Sequence, residues 1–307
     1  MEFSSSACDV TLYGARPLNA TRQKIVWPGG ARIAVWIAPN LEYYELNPPD
    51  NPSRHPWPRI KPDILNYGRR DYGNRVGFER IADLLTGNGF RASVSLNVAL
   101  CDHYPEIIKK CDDLGWELFT HGVYNTRYLY GMSAEQIREV VRDSRDTIKK
   151  YTGQTLKGWL APALSTTIET TDILAEEGLI YTLDFLHDDQ PTPIKVKSGR
   201  MINVPYSLVV NDVPLLYMQH VTPDEYFRIL CAQFDQLYKE GEDYGTVMCV
   251  PIHPFIVGKP HCIGALRRFL EYVNRHDGVW RPTASEIADF YYDNYYNSAV
   301  EKEFQVS

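Results

Sequence analysis

The chain has 307 residues, 44% of them apolar and 23% charged, an ordinary balance for a soluble globular protein and enough length for one barrel-sized domain. Its 32 Lys and Arg against 39 Asp and Glu give a net charge of −7, which argues against a polyanion such as nucleic acid as partner. An aromatic content of 12%, with 21 Tyr, argues against a disordered chain.

The opening residues Met1 to Lys24 hold no apolar core of the kind a secretory leader needs. No later run approaches the roughly 18 apolar residues of a membrane span. The expectation is a cytoplasmic protein with no membrane partner. Six cysteines (Cys8, Cys101, Cys111, Cys231, Cys249, Cys262) form no C-x-x-C pair and read as buried thiols.

In chain order, Arg32 to Ala38 is a near-continuous apolar strand of the kind buried on both faces. Six prolines between Asn47 and Pro62 (Pro48, Pro49, Pro52, Pro56, Pro58, Pro62) forbid helix there and predict a long irregular excursion. Gly73 to Thr86 carries a helical stripe closed by Gly87-Asn88-Gly89, and Ala92 to Leu96 follows as a strand. Pro105 to Leu114 reads as helix, and Trp116 to Thr120 as a strand that ends on His121-Gly122. Ser133-x-x-Gln136 opens a helix to about Tyr151, Gly158 to Ala161 is a short strand, and Thr166 to Glu177 is the next helix. Strands Tyr181 to Phe185 and Met201 to Val204 precede a long helix, Thr222 to Lys239, and the strongly apolar strand Thr246 to Ile252. Helix Pro260 to Asn274 and a helix capped by Thr283-x-x-Glu286 complete the chain.

Seven strands, each followed by helix or long loop with no break in composition, favour a single-domain α/β protein: a distorted (β/α)7-type barrel rather than an open doubly wound sheet. The expected division is an N-terminal extension over 1–26, the barrel over 27–295 and a C-terminal tail over 296–307. In such barrels chemistry gathers at the carboxyl ends of the strands. The polar residues falling there are Asn40 and Glu42 after the first strand, His121 with Asn125 after the third, Asp184 and Asp189 after the fifth, and His253 after the seventh. Each has a plainer reading: a surface glutamate, satisfied core histidines, aspartates in turns. Convergence of four distant strands on one rim favours function. His55, His103, His220, His261 and His276 lack such placement and are expected to face solvent.

These stretches together make the chain resemble the polysaccharide deacetylase superfamily, in the branch that includes metal-independent allantoinases and intracellular peptidoglycan-deacetylase-like proteins. The matching segments are Ile37 to Glu42, Trp116 to Gly122, Gly158 to Pro162, Tyr181 to Pro191, Val204-Pro205 with Asn211 to Pro214, Ile252 to Pro254 through Gly258 to Pro260, and Val279 to Ala288. The resemblance implies hydrolysis of non-peptide C–N bonds on a distorted barrel of about seven strands. It also implies homo-oligomers, often tetramers. Metal-using members carry an acidic pair on the first strand and His-x-x-x-His after the third. Here position 40 is Asn, position 42 is Glu and the second histidine position is Asn125. An amide oxygen is a much poorer zinc ligand than imidazole.

Amide hydrolysis needs a base for water, a stabiliser for the oxyanion and an acid for the leaving nitrogen. The expected assignment is Glu42 as base, His121 orienting water or substrate, and His253 as acid or oxyanion partner. Asn40 and Asn125 would fix the carbonyl or water, and Asp184 or Asp189 would carry the family's aspartate after strand five. Tyr43, Tyr124, Trp159 and Pro162 join them as expected substrate contacts, with Tyr44 and Tyr128 as further pocket walls or an oligomer surface. No cofactor is required. A variant with zinc or another divalent metal on Glu42, His121 and Asn125 stays open, as do an amino-sugar N-deacetylase and a catalytically silent ligand-binding barrel. The expected substrate is a small soluble amide, ureide or cyclic imide.

Overall fold

The computed structural model describes residues 22–50 and 61–304. Expectations for Cys8, His55, Pro52, Pro56, Pro58 and most of the N-terminal extension lie outside the described residues.

Among the described residues a single nine-stranded sheet curls around an apolar interior, with strand order β6-β7-β5-β4-β3-β2-β1-β8 and β9 beside β1. The strands are β1 (Ile33–Leu41), β2 (Ser93–Leu96), β3 (Glu117–Thr120), β4 (Gly158–Trp159), β5 (Tyr181–Thr182), β6 (Thr192–Ile194), β7 (Met201–Asn203), β8 (Thr246–Ile252) and β9 (Val279–Trp280). All pairings are parallel except β6 against β7, and β9 pairs with the start of β1 at Ile33 and Ala34. The barrel expected from sequence is therefore present, with two short strands added at its margins.

Strand β1 is buried along its whole length, and its two faces serve two cores. Ala34, Trp36 and Ala38 point inward among Phe119, Leu160, Tyr181, Val247 and Cys249, while Ile33, Val35, Ile37 and Leu41 meet the helix layer. The period of two thus puts Asn40 on the inward face, at the carboxyl end of the strand.

The helices are α1 (Ile64–Tyr72), α2 (Phe78–Gly87), α3 (Leu100–His103), α4 (Pro105–Asp113), α5 (Ala134–Thr152), α6 (Thr170–Glu176), α7 (Pro223–Tyr244), α8 (Ile263–Val273), α9 (Ala284–Asn294) and α10 (Tyr296–Phe304). Ser133 and Gln136 form the reciprocal cap expected for α5, and Gly153 stops that helix at φ 73°. Helix α9 closes the amino end of the barrel: Ala284, Ile287, Ala288 and Tyr291 enter the inner core. Its first amides donate to Ser93 Oγ and Glu117 Oε2, at the starts of β2 and β3.

Several expectations are corrected. Helix α1 falls just beyond the proline run, where Asp63 caps it through the Asn66 amide. Residues Gly73–Gly77 form a wider π turn rather than the first turn of the following helix. The segment expected as a C-terminal tail is helical over Tyr296–Phe304, with Tyr296 and Ala299 buried against the inner core. Its sparse apolar residues gave little periodicity to read. His276 is half-buried, its ring 5.0 Å from Phe234 and 4.8 Å from Tyr272, whereas His220 and His261 are exposed.

Strands β7 and β8 are not paired, and the loop after β5 fills this seam. Val247 N donates to Asp189 O at 2.9 Å, and Gln190 Nε2 donates to the carbonyls of Gln23 and Gly245 at 3.1 and 3.0 Å. Beside the seam lies a cavity of about 320 Å³ walled by residues including His187, Tyr206, Gln233 and Cys249. No helix among the described residues is long and apolar enough to cross a membrane.

Candidate active site

Glu42 leaves β1 at the carboxyl rim and is almost wholly buried. A buried carboxylate needs partners. Its Oε2 accepts from Arg70 Nε at 3.1 Å, its Oε1 lies 3.3 Å from His253 Nε2, and its main-chain oxygen accepts from Asn74 Nδ2 at 3.1 Å. His253 ends β8 and is held from its other side by Asp212, whose Oδ1 lies 2.6 Å from Nδ1 and whose Oδ2 accepts the His253 amide at 2.7 Å. Asp212 also accepts the Val257 amide at 3.3 Å, so one fully buried carboxylate fixes both ring and backbone.

The approach of β8 to α1 and the π turn requires glycine. A Cβ on Gly77 would lie 2.0 Å from Pro254 O, and one on Gly73 would lie 2.9 Å from Phe255 Cβ. Backbone thus meets backbone where Pro254 and Phe255 follow His253, and this contact seats Arg70 and Asn74 beside Glu42.

His121, at the end of β3, is buried and hydrogen-bonded from Nδ1 to the Leu160 carbonyl at 2.9 Å. A carbonyl only accepts, so Nδ1 carries the proton, and in the neutral ring Nε2 presents a lone pair. The Asn125 side chain and Glu42 favour the protonated form of this histidine, and His253 disfavours it. Asn97, after β2, ties the rim together: its Nδ2 donates to His121 O at 2.5 Å and its Oδ1 accepts the Tyr43 amide at 3.0 Å.

Burial alone would raise the Glu42 pKa, but Arg70, then His253 and His121, overcome it and hold the carboxyl at about 2. Burial also works against protonated His253, yet Asp212 and Glu42 raise its pKa to about 9. Burial lowers that of His121, outweighing Glu42 and the Leu160 carbonyl. At neutral pH the cluster is therefore a carboxylate, an imidazolium and a neutral imidazole. Glu42, expected as the base, has its two oxygens engaged by Arg70 and His253. His121, neutral and with the lone pair on Nε2, is the group of the cluster placed to take a proton.

The other expected residues separate. Asn125 joins the cluster. Tyr43 and Tyr124 stand on the rim with ring centroids 5.9 Å apart, and Tyr43 also stacks on His103 at 4.1 Å. Asn40 does not reach the site freely, because its Nδ2 faces the carbonyls of Ala38 and Ile252 and the Tyr206 hydroxyl at 3.2 to 3.3 Å. It joins β1 to β8. Trp159 is a core residue on the helix side of β4, and Pro162 packs beneath Gly122. Asp184 accepts from Ala161 N at 2.8 Å and from the Thr166 hydroxyl, anchoring the loop next to the Leu160 carbonyl that holds His121; burial pushes its pKa up to about 6. Asp189 lies in the seam rather than the cluster.

Two participants carried no strand-end signal. Arg70 sits on a helix behind the prolines, and Asp212 lies in a loop nine residues past β7. The matched stretch Asn211 to Pro214 was the available pointer to Asp212.

A divalent metal does not fit these donors. The two Glu42 oxygens already face Arg70 and His253, the position four residues after His121 offers an amide, and a guanidinium charge borders the place a cation would take. Among the described residues no group of three His, Cys, Asp or Glu is arranged to hold a metal ion.

A curled parallel β/α barrel with buried histidines and a carboxylate at its carboxyl rim defines the class. Residues 70–182 match the sequence profile of the polysaccharide deacetylase family. A peptidoglycan deacetylase of Helicobacter pylori is 25% identical over 261 residues, covering 74% of this chain and 87% of the relative. The crystal structure of a probable polysaccharide deacetylase from Pseudomonas aeruginosa superposes with a TM-score of 0.78 at 26% identity, covering 88% of this chain and 94% of that one. The PuuE allantoinase structure gives 0.79 at 24% identity, with 88% and 93% covered, and shares the fold. The chain is similar to proteins of the polysaccharide deacetylase superfamily, and this similarity supports a hydrolase of carbon–nitrogen bonds other than peptide bonds.

Proposed function

We propose that the chain hydrolyses a small linear or cyclic amide or ureide by direct attack of water, without a metal. The observation that carries this reading is the line Asp212–His253–Glu42 facing a neutral His121. His121 Nε2 takes a proton from water as the water oxygen bonds to the carbonyl carbon. The Nε2–H of His253, which rests on Glu42, passes to the departing nitrogen as the C–N bond breaks. The proton left on His121 goes to solvent as products leave, and His253 regains one. Asp212 and Glu42 keep His253 protonated until that step, and Asn125 steadies the His121 ring.

The rim tyrosines support a compact substrate, since aromatic walls contribute contact area and hydroxyl hydrogen bonds. A cytoplasmic setting belongs to the same reading. So does a homo-oligomer, with exposed Ile64, Leu65 and Met218 as surface to cover; light scattering tests it. A second reading, a zinc-dependent N-deacetylase of amino sugars, is favoured by the family match over residues 70–182. Turnover of an amide, ureide and N-acetyl-sugar panel before and after chelation separates the two. Activity that vanishes on chelation and returns with zinc overturns the metal-free reading.

A further inference from the structure

The Arg70 guanidinium is locked on several sides. Nε meets Glu42 Oε2 at 3.1 Å and Nη1 meets Asn66 Oδ1 at 3.1 Å, while the guanidinium carbon lies 3.7 Å from the Tyr44 ring centroid and 4.4 Å from that of Phe255. This is more fixation than a surface ion pair receives, and both partners are largely buried, so the charges are only weakly screened. The carboxylates of Glu42 and Asp212 are balanced by Arg70 and protonated His253, which leaves the cluster neutral overall with His121 uncharged. A divalent ion on Glu42 would add two positive charges beside a guanidinium that cannot swing away.

We infer that Arg70 is the resident cation of this site, a positioning residue that occupies the outer oxygen of Glu42 and thereby excludes a divalent metal. The inference rests on the metal-free reading above. It assigns to a helix residue, outside the strand-end set, the choice between two chemistries on one scaffold. The groups facing Glu42 are Arg70 from α1, His253 from the end of β8 and His121 from the end of β3. Removing Arg70 therefore leaves a buried carboxylate close to imidazole nitrogens, the kind of donor set that takes zinc.

The test uses the full chain as wild type, Arg70→Lys, Arg70→Met and the double variant Arg70→Met/Glu42→Gln. Zinc alone is the probe, in equilibrium dialysis and in thermal melts. Arg70→Met is expected to bind zinc at least tenfold more tightly than wild type, and zinc is expected to raise its melting temperature while leaving that of wild type unchanged. The double variant loses this gain, and Arg70→Lys, which keeps the charge, resembles wild type. If Arg70→Met does not fold unaided, recovery of folding on adding zinc supports the inference and failure to recover overturns it. Equal zinc affinity in wild type and Arg70→Met, or an undiminished gain in the double variant, also overturns it. Wild-type turnover that disappears on chelation and returns with zinc sinks the metal-free reading itself. Chelator-insensitive wild type with no gain in Arg70→Met sinks only the role of Arg70.

Discussion

His253 Nδ1 and Asp212 Oδ1 lie 2.6 Å apart, and the other oxygen of the same carboxylate accepts the His253 main-chain amide. Ring orientation and backbone position are thus set by one side chain that is fully buried. Asp212→Asn keeps the shape and removes the charge that helps His253 hold its proton. Turnover is expected to fall by about 10² to 10⁴-fold, the range associated with a general acid. The alkaline limb of the rate profile should also move to lower pH. Steady-state kinetics across pH check both, and a profile that keeps its alkaline limb would remove Asp212 from the proton-donating unit.

The active protonation state has His121 neutral and His253 charged. Rates should therefore fall on the acid side below the ordinary histidine value of 6.5, because burial lowers the pKa of His121, and on the alkaline side near 9, where His253 loses its proton. Stability follows the same signs. The raised pKa of His253 gives stabilisation that is complete below 6.5 and lost as pH rises through about 9. The depressed pKa of Glu42 gives stabilisation present above 4.5 and lost as pH falls toward about 2. Thermal melts of wild type and Glu42→Gln from pH 3 to pH 9 should converge at the acid end, and parallel curves would refute the assignment.

Asp184 has the opposite leaning from Glu42, with its carboxyl raised to about 6 by burial. Its contribution is complete below 3.8 and is lost as pH rises through about 6, so the ionised form is a cost at neutral pH. Asp184→Asn preserves an acceptor for the Ala161 amide. The melting temperature of this variant relative to wild type should increase between pH 5 and pH 8; a pH-independent difference would show that Asp184 does not titrate there.

Two glycines give a contrast in packing. A Cβ on Gly77 would lie 2.0 Å from Pro254 O, whereas one on Gly264, within α8, meets nothing within 4 Å. Gly77→Ala should destabilise by about 1–3 kcal/mol or more, and it should lower turnover even in the folded fraction by displacing the His253 turn. Gly264→Ala should stabilise by about 0.5–1 kcal/mol without kinetic effect. Urea denaturation and kinetics on both variants decide this.

His121 and His253 were legible because apolar strands with a clear pattern end directly on them, and Glu42 because it follows β1 in period with Asn40. What that logic could not supply was chemistry delivered from elsewhere. Arg70 lies on a helix whose apolar face is thin and whose neighbours are proline, glycine and arginine, so hydrophobic periodicity is silent there. Asp212 follows a strand of three residues and a loop. Asn40 misled for a related reason: its strand position is right, but the carbonyls of Ala38 and Ile252 and the Tyr206 hydroxyl claim its amide, a competition visible only once β1, β8 and the loop after β7 are assembled. The division of labour between Glu42 and His121 likewise depends on which buried charges surround each, and spacing along a chain does not encode that.

Where β8 begins, the ring of strands is stitched by the Gln190 amide and the Val247–Asp189 main-chain bond instead of by a ladder. Spreading at that stitch would open the amino end of β8, while Asp212 still holds His253 at its other end and β1, β2 and β3 keep their register. The Val247 amide proton should accordingly exchange with solvent sooner than those that join β8 to β1. The molecule would then breathe along one meridian while its catalytic end stays still.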